Sequence, residues 1–197
     1  MNIKKLYRTI LKASTKMIGI RATKEWDARI RFRRKLNLNN PSTLADKICY
    51  MELYQENKLK IQCSDKYAVR SYVKEKGLEH ILVPLCGGPY EHIGEVDLAS
   101  LPSAFVLKAT HGCAMNIICN DKEKLDIEQT KKTLLQWFQE DYDRACIEPH
   151  YKKVPHRVIC EEMLQDAESI IDYKFHCFYG KPDFILVCGN RIHGVQK

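Results

Sequence analysis

Three short segments place lysine and glutamate side chains where they could bind a nucleotide. Lys66 lies at the predicted start of a helix, where free backbone N–H groups and the helix dipole favour an anion. Lys108 ends an apolar strand just before a loop that contains Gly112, so its ammonium group and the loop N–H groups can bind phosphate oxygens together. Glu161 and Glu162 end another apolar run, where a carboxylate can accept hydrogen bonds from ribose hydroxyls. Each segment alone is typical of a solvated surface, and it is their order and spacing that point to a nucleotide site.

The positive charge of the chain is concentrated at its amino terminus. The 197 residues carry a net charge of +7, but residues 1–36 alone hold twelve basic and two acidic side chains, so the remainder is slightly acidic. Ile3, Leu6, Ile10 and Leu11 recur at helical spacing in this basic arm. Such a helix can lie on an anionic membrane surface, contact nucleic acid or dock on a partner. It can also pack on its own protein, which is the most common arrangement.

Composition and cysteine spacing exclude several classes of protein. Hydrophobic residues make up 45% and charged residues 29%, which are globular values. No apolar run approaches the ~20 residues that cross a bilayer, and basic residues interrupt the amino terminus where a signal peptide would be apolar. Nine cysteines at irregular spacing, with no Cys-x-x-Cys pair, predict reduced thiols in the cytoplasm. His111, Cys113 and Cys119 lack a fourth ligand at a zinc-finger spacing, so no zinc site is predicted.

Turn and capping residues divide the chain into early helices, several short strands and one longer helix. The alternation of apolar residues and the absence of a long βαβ pattern predict an α+β fold with a mixed or antiparallel sheet. The predicted helices begin near Thr43, at Ser64 or Asp65, and at Asp126, the last running to about residue 145 with Leu134, Leu135, Phe138 and Tyr142 on one stripe. The predicted strands are 80–85, 104–110, 116–119 and 157–164, followed by a hairpin over 172–189 with its turn at Gly180, Lys181 and Pro182.

The series of these segments resembles the ATP-grasp superfamily and, more narrowly, the TupA-like ATP-grasp family. The resemblance is carried by segments 36–54, 64–77, 101–112, 116–128, 160–164 and 172–182, and it extends from about residue 36 to residue 188. It implies an ATP-grasp-like α+β fold and a role in teichuronopeptide or other bacterial surface-polysaccharide synthesis. Members of that family are sometimes labelled glycosyltransferases.

The resemblance also implies a division of the chain and a set of ligand contacts. Residues 1–36 would be a basic arm, 37–100 the helical first part of the ATP-grasp module, and 101–197 an incomplete nucleotide-binding lobe. The implied cofactors are ATP and Mg²⁺, and the implied chemistry phosphorylates a carboxylate and then joins it to an amine. The implied contacts are Lys66 and Lys108 to phosphates, His111 and Gly112 in the phosphate loop, Glu161 and Glu162 to adenine and ribose, and Asp172 and Lys174 to ribose and phosphate.

Two departures from the family pattern bear on that chemistry. The loop after His111 usually carries several glycines, whereas here it reads His-Gly-Cys-Ala-Met-Asn, with Met115 adding bulk where phosphate would approach. Acidic ligands for Mg²⁺ are expected on later strands, but the late candidates are only Asn190 and Arg191. The resemblance therefore implies a carboxy-terminally truncated protein or fragment, inactive as a ligase by itself, or one whose metal site a partner chain completes.

Three functions remain open at this level. The first is an ATP-grasp ligase acting on a carboxylate, an amine or a glycan precursor. The second is a catalytically inactive binding protein whose basic arm docks on an anionic membrane or on a partner, so that the cytoplasmic protein would be membrane-peripheral. The third, nucleic-acid binding through residues 1–36, is the weakest, because the rest of the chain is acidic on balance and carries no nucleic-acid motif.

Overall fold

Helices occupy the first part of the chain, and two antiparallel sheets with one further helix occupy the rest. The computed structural model describes residues 3–140, 142, 147–164 and 171–189. The α-helices are α1 (Ile3–Phe32), α2 (Leu44–Tyr54), α3 (Lys58–Ser64), α4 (Ala68–Glu75) and α5 (Ile127–Gln139), with short 3₁₀ helices at Glu79–Ile81, Ile93–Glu95, Lys122–Lys124 and Pro149–Lys153. The strands are β1 (Leu85–Tyr90), β2 (Phe105–Ala109), β3 (Asn116–Cys119), β4 (Val158–Glu162), β5 (Asp172–Phe178) and β6 (Lys181–Cys188). This mixture confirms the predicted α+β class.

The four-stranded sheet has the order β1-β4-β2-β3, and all its neighbours are antiparallel. Alternate residues of β2 point to opposite faces of a strand, so Phe105, Leu107 and Ala109 are fully buried on one face while Lys108 belongs to the other. Helix α5 covers the buried face with side chains that include Leu134. The hydrophobic cluster that includes Leu134 therefore lies between this face and α5, whereas the other face of the sheet combines charged side chains with the buried Ile159.

Helix α5 begins where the sequence predicts and ends earlier. The Asp126 side chain accepts a hydrogen bond from the backbone N–H of Gln129 at 2.9 Å, which confirms the predicted cap. Helix α5 itself ends at Gln139, because the backbone of Glu140 is extended, so it is shorter than the predicted run to about residue 145. Residues 141 and 143–145 of that run lie outside the described residues. The predicted apolar stripe also differs, since Leu135 is exposed and Trp137 is buried in its place.

The strand predicted over 80–85 lies instead at Leu85–Tyr90, across the glycines that were expected to interrupt it. The two glycines are needed because β1 approaches β4 very closely. A Cβ atom on Gly88 would lie 2.8 Å from the carbonyl oxygen of Val158, and one on Gly87 would lie 3.3 Å from the Cβ of Cys160. Gly87 and Gly88, which predicted the end of a strand, instead allow β1 to pack closely against β4.

Strands β5 and β6 pair only with each other among the described strands. The hairpin is confirmed, but its turn is formed by Tyr179 and Gly180, whereas Lys181 and Pro182 already belong to β6. Both turn residues have positive φ angles, of 52° and 76°, which is the geometry that joins twisted antiparallel strands most closely. The turn therefore begins at Tyr179, one residue before the predicted turn of Gly180, Lys181 and Pro182.

Helix α1 reverses direction at Gly19, so residues 3–32 form a helical hairpin. Gly19 has φ 79° and ψ 166°, a conformation that interrupts a helix. Beyond it the chain returns: the Tyr7 hydroxyl donates a hydrogen bond to Asp27, and the Tyr7 and Trp26 rings stack with centroids 6.4 Å apart. In a straight helix, positions 7 and 27 would be about 30 Å apart.

The helical hairpin is attached to the rest of the protein rather than extended from it. Leu11 is only 2% exposed, and the Lys24 ammonium group lies 2.7 Å from the Glu52 carboxylate of α2 in a buried ion pair. Arg34, just after the hairpin, pairs with the buried carboxylate of Asp46 at 2.8 Å. No described helix is both long and apolar enough for a bilayer crossing. The eight cysteines among the described residues are free thiols.

The Asp65 carboxylate joins the start of α4 to the start of β4. It accepts hydrogen bonds from the backbone N–H groups of Tyr67 at 2.8 Å and Ala68 at 3.2 Å, which confirms the predicted capping role. Its second oxygen accepts a hydrogen bond of 2.6 Å from the Arg157 guanidinium. Because the carboxylate is buried, these contacts replace the water that it loses on folding.

Replacing Asp65 with Ala should destabilise the fold by about 3 kcal/mol, because the change removes a helix cap and leaves a partly buried Arg157 without its partner. Asp126→Ala is the matched control, since it removes a cap of the same type without breaking an ion pair and should cost about 1 kcal/mol. Urea unfolding followed by circular dichroism measures both. Equal losses for the two variants would contradict the structural role given to the Asp65–Arg157 pair.

Candidate functional site

Lys108 and Glu161 meet on the face of the four-stranded sheet that points away from α5. In the antiparallel register of β2 and β4, Val106 pairs with Glu161 and Lys108 pairs with Ile159. Lys108 and Glu161 are therefore diagonal neighbours on one face, and the Lys108 ammonium group donates a hydrogen bond to the Glu161 carboxylate. Glu161 is only 9% exposed, so this contact stabilises a carboxylate that has little access to water.

A third charged residue, Arg70 of α4, completes this cluster. Its guanidinium lies 3.8 Å from the second carboxylate oxygen of Glu161 and also donates a hydrogen bond of 2.9 Å to the Val83 carbonyl. Arg70 is not among the residues that the sequence pattern singles out. The sequence feature that could have identified Arg70 is its spacing of four residues from Lys66, because residues four apart lie on the same side of a helical turn.

Lys66 lies beside the same cluster and beneath the loop that follows β2. Its ammonium group donates hydrogen bonds to the carbonyl oxygens of Ala109, at 2.8 Å, and Gly112. Its backbone N–H donates to the Thr110 carbonyl at 3.2 Å. Burial lowers the pKa of Lys66, and the positive charge of Lys108 lowers it further. The charges of the two lysines thus influence each other, as they would in a shared anion site.

The loop from His111 to Met115 is packed rather than open. The His111 ring is buried and stacks on His156 with centroids 4.0 Å apart. A Cβ atom on Gly112 would collide with the Met115 sulfur and would lie 2.7 Å from the Tyr142 ring, so only glycine fits there. The bulk that the sequence places at Met115 is therefore turned inward, into the core, rather than toward the face that carries Lys108.

The remaining predicted contacts lie apart from this cluster. Glu162 follows Glu161 in β4 and points to the opposite face, where its side chain is exposed. Asp172 and Lys174 belong to β5 in the second sheet, where the Lys174 ammonium group lies 2.5 Å from the Asp172 carboxylate. Asn190 and Arg191 lie outside the described residues.

Four charged side chains from three elements or their junctions thus converge: Lys66, Arg70, Lys108 and Glu161. Residues 46–197 match the family model described as TupA-like ATPgrasp, a range that contains all four. The chain belongs to the TupA-like ATP-grasp family. No match was found among curated proteins or among solved structures. The match confirms the resemblance seen in the sequence and the α+β, ATP-grasp-like fold.

The cation cluster of this ATP-grasp protein has the chemistry that phosphate groups require, because lysine and arginine supply charged donors and the three cations of the cluster outnumber its one carboxylate. It does not provide a Mg²⁺ site. Glu161, the carboxylate of the cluster, is already bound by Lys108 and Arg70. Mg²⁺ needs several free oxygen ligands in octahedral geometry, and the described residues of this face do not offer them.

A second cluster of possible metal ligands among the described residues lies away from Lys108, and its central carboxylate is also bound by lysines. Glu52, Glu148 and His150 bring one ligand atom each within 4.8 Å of one another. However, the two carboxylate oxygens of Glu52 bind the ammonium groups of Lys24 and Lys60, at 2.7 and 3.0 Å. A divalent cation there would have to displace two positive charges, so this group does not fit a metal.

Glu161→Ala should destabilise the ATP-grasp fold by about 2 kcal/mol, because it leaves the partly buried Lys108 and Arg70 without a counter-charge. Glu162→Ala, the matched control in the next position, should change the free energy of unfolding by less than about 0.5 kcal/mol, because that side chain is exposed. Chemical denaturation checks both values. Similar losses at the two positions would show that Glu161 does not hold the cluster together.

The His111–His156 stack should make the protein less stable in mild acid. Burial, together with the charges of His156 and Lys66, lowers the pKa of His111 from 6.5 to about 4. Between these two values the unfolded chain binds a proton that the folded chain does not, so stability falls as the pH falls from 6.5 toward 4.

The stability lost over this range through His111 should approach about 3 kcal/mol. In His111→Gln the dependence on pH should be correspondingly weaker, whereas His80→Gln, at an exposed histidine, should keep the wild-type profile. Urea unfolding at a series of pH values between 7 and about 5 measures the slopes. A slope in His111→Gln equal to that of the wild type would contradict the assignment.

Proposed function

We propose that this TupA-like ATP-grasp protein binds ATP on the sheet face that carries Lys108, with the phosphates held by Lys66, Lys108 and Arg70. The observation that carries the proposal is that Lys108 and Arg70 contact the buried carboxylate of Glu161, with Lys66 bound to the neighbouring carbonyls of Ala109 and Gly112, all within the region that matches the family. A cluster of this kind can exchange the Glu161 contact for phosphate oxygens, which carry more negative charge and accept more hydrogen bonds.

The loop after β2 supports the proposal by positioning rather than by an open glycine cradle. Lys66 binds two carbonyl oxygens of this loop, so the loop and the first phosphate-binding lysine are held together before any ligand arrives. Gly112 allows the chain to pass close to Tyr142 while keeping that arrangement. In this proposal the charged side chains, rather than the backbone N–H groups, provide most of the phosphate affinity.

The proposed reaction class is carboxylate–amine ligation. The γ-phosphoryl group of ATP is transferred to a carboxylate oxygen, giving an acyl phosphate and ADP, and an amine then attacks the carbonyl carbon and releases inorganic phosphate. Mg²⁺, when bound, neutralises the charge on the transferred group. The described residues leave no free carboxylate beside Lys108. The ligands of Mg²⁺ would therefore have to come from residues outside the described part of the chain.

We further propose a place for this activity in the synthesis of a bacterial cell-surface polysaccharide of the teichuronopeptide type, in the cytoplasm, where ATP is available. The substrate would be a glycan precursor or amino-acid unit bearing a carboxylate or an amine. The alternative is nucleotide binding without ligation. That alternative is favoured by Glu161, whose carboxylate is engaged by cations and cannot serve a metal.

Calorimetric titration with Mg-ATP tests the nucleotide site. Lys108→Ala should weaken binding by about tenfold or more, because it removes a charge-assisted contact. Lys124→Ala is the matched control, since it removes an equally charged, exposed lysine from a 3₁₀ helix away from this face and should bind like the wild type. Equal affinities for Lys108→Ala and the wild type, or no binding by the wild type, would overturn the proposal.

A further inference from the structure

The bend of the helical hairpin exposes apolar side chains at its tip. Met17 is 83% exposed and Ile18 is 55% exposed, and both lie directly before Gly19, where the hairpin reverses. Exposed apolar residues are common singly, but two large ones side by side at the bend of a helical hairpin are less so. Nothing within the described residues covers them.

Basic residues flank this apolar tip on both sides. Lys16 precedes Met17 and forms no ion pair with a described residue. Arg21 follows the bend and keeps most of its side chain exposed, although it contacts Glu25 at 3.2 Å. The first acidic residue of the whole chain is Glu25, so residues 1–24 carry seven basic side chains and no acidic one. Lys12 lies 3.8 Å from Glu140 and Lys24 is buried against Glu52, so the exposed positive charge next to the apolar tip comes from Lys16 and Arg21.

The apolar surface continues from the tip along the first half of the hairpin. Leu6, Ile10 and Met17 follow one another at intervals of four and seven residues, which places them on one side of the helix, and all three are exposed. Leu11, on another side, is buried against the protein. The hairpin thus has a packed side and an apolar, basic-flanked outer side, which is the pattern of a helix that lies at a membrane surface.

We propose that this tip, residues 16–21 with the adjoining Leu6–Ile10 surface, docks on an anionic phospholipid bilayer. Met17 and Ile18 enter the boundary between headgroups and acyl chains, and the aliphatic stems of Lys16 and Arg21 lie along it while their charges bind lipid phosphates. Nucleic acid would neutralise the charges but would leave the two apolar side chains in water. An acidic protein partner is the competing occupant, and the experiment below separates the two.

The way the hairpin is attached suits this docking. The buried Lys24–Glu52 pair, on the returning half, attaches the hairpin to α2 and leaves the tip at Gly19 uncovered by the described residues. The tip lies in a different part of the chain from Lys66, Lys108 and Glu161, outside the region that matches the family. Membrane binding and nucleotide binding therefore depend on different residues and can fail separately.

Co-sedimentation of the full chain with lipid vesicles tests the proposal. The wild type should bind vesicles of phosphatidylcholine mixed with phosphatidylglycerol, should bind pure phosphatidylcholine far less, and should be released by high salt. The double variant Met17→Ser, Ile18→Ser should bind the anionic vesicles about tenfold or more weakly. Lys16→Gln with Arg21→Gln should weaken binding by about tenfold as well.

Ile81→Ser is the matched control, because it removes an equally exposed isoleucine from a 3₁₀ helix and should leave vesicle binding unchanged. Circular dichroism of each variant checks that it is folded. A second measurement places a reporter at the tip: the fluorescence of Ile18→Trp should shift to shorter wavelength with anionic vesicles and should be quenched by brominated lipid.

Three results would overturn the proposal. The wild type could fail to bind anionic vesicles, which would leave the tip to an acidic protein partner. The serine double variant could bind as well as the wild type, which would mean that charge alone attracts the protein to lipid. The tryptophan at position 18 could show no shift and no quenching while the protein is bound, which would mean that the tip does not enter the bilayer.

Discussion

The buried carboxylate of Asp65 joins three parts of the chain that are far apart in sequence. It caps α4, it binds Arg157 just before β4, and the neighbouring Lys66 binds the loop after β2. Thr110 of that loop adds two hydrogen bonds to the segment before β4, through its N–H to the Arg157 carbonyl and through its hydroxyl to the Pro155 carbonyl. Because a buried carboxylate without partners is very costly, these contacts must form together.

This junction determines where the charges of the candidate site lie. With the start of α4 fixed, Lys66 faces the loop and Arg70, one turn later, faces Glu161. The register of β2 and β4 then brings Lys108 to the same carboxylate. Lys108 and Arg70 share this one anion on a face that is partly withdrawn from water, and Lys66 lies beside them on backbone carbonyls, so the cluster carries more positive than negative charge.

The positively charged side chains of the protein lie on two surfaces that differ in burial and in the residues around the charges. On the sheet face the cations are partly buried and held by backbone and carboxylate contacts, which suits a small, highly charged ligand. At the hairpin tip the cations are exposed and flank apolar side chains, which suits an extended surface with an anionic exterior and an apolar interior. Net charge alone does not distinguish these two arrangements.

The sequence by itself determined the α+β class, the family, the cap at Asp126 and a choice of Ser64 or Asp65 for the cap of α4, because these depend on local patterns and on the order of segments. It also singled out Lys66 and Lys108 as candidate site residues. It could not decide which face of a strand Glu161 and Glu162 occupy, nor that Arg70 joins the cluster, because both depend on register and on packing between distant elements. The close approach of β1 to β4 turned an expected break at Gly87 and Gly88 into a strand. The reversal at Gly19 also depends on tertiary contacts: one glycine allows either a turn or a helix, and the contacts of Tyr7 with Trp26, Asp27 and Arg31 across the hairpin stabilise the turn.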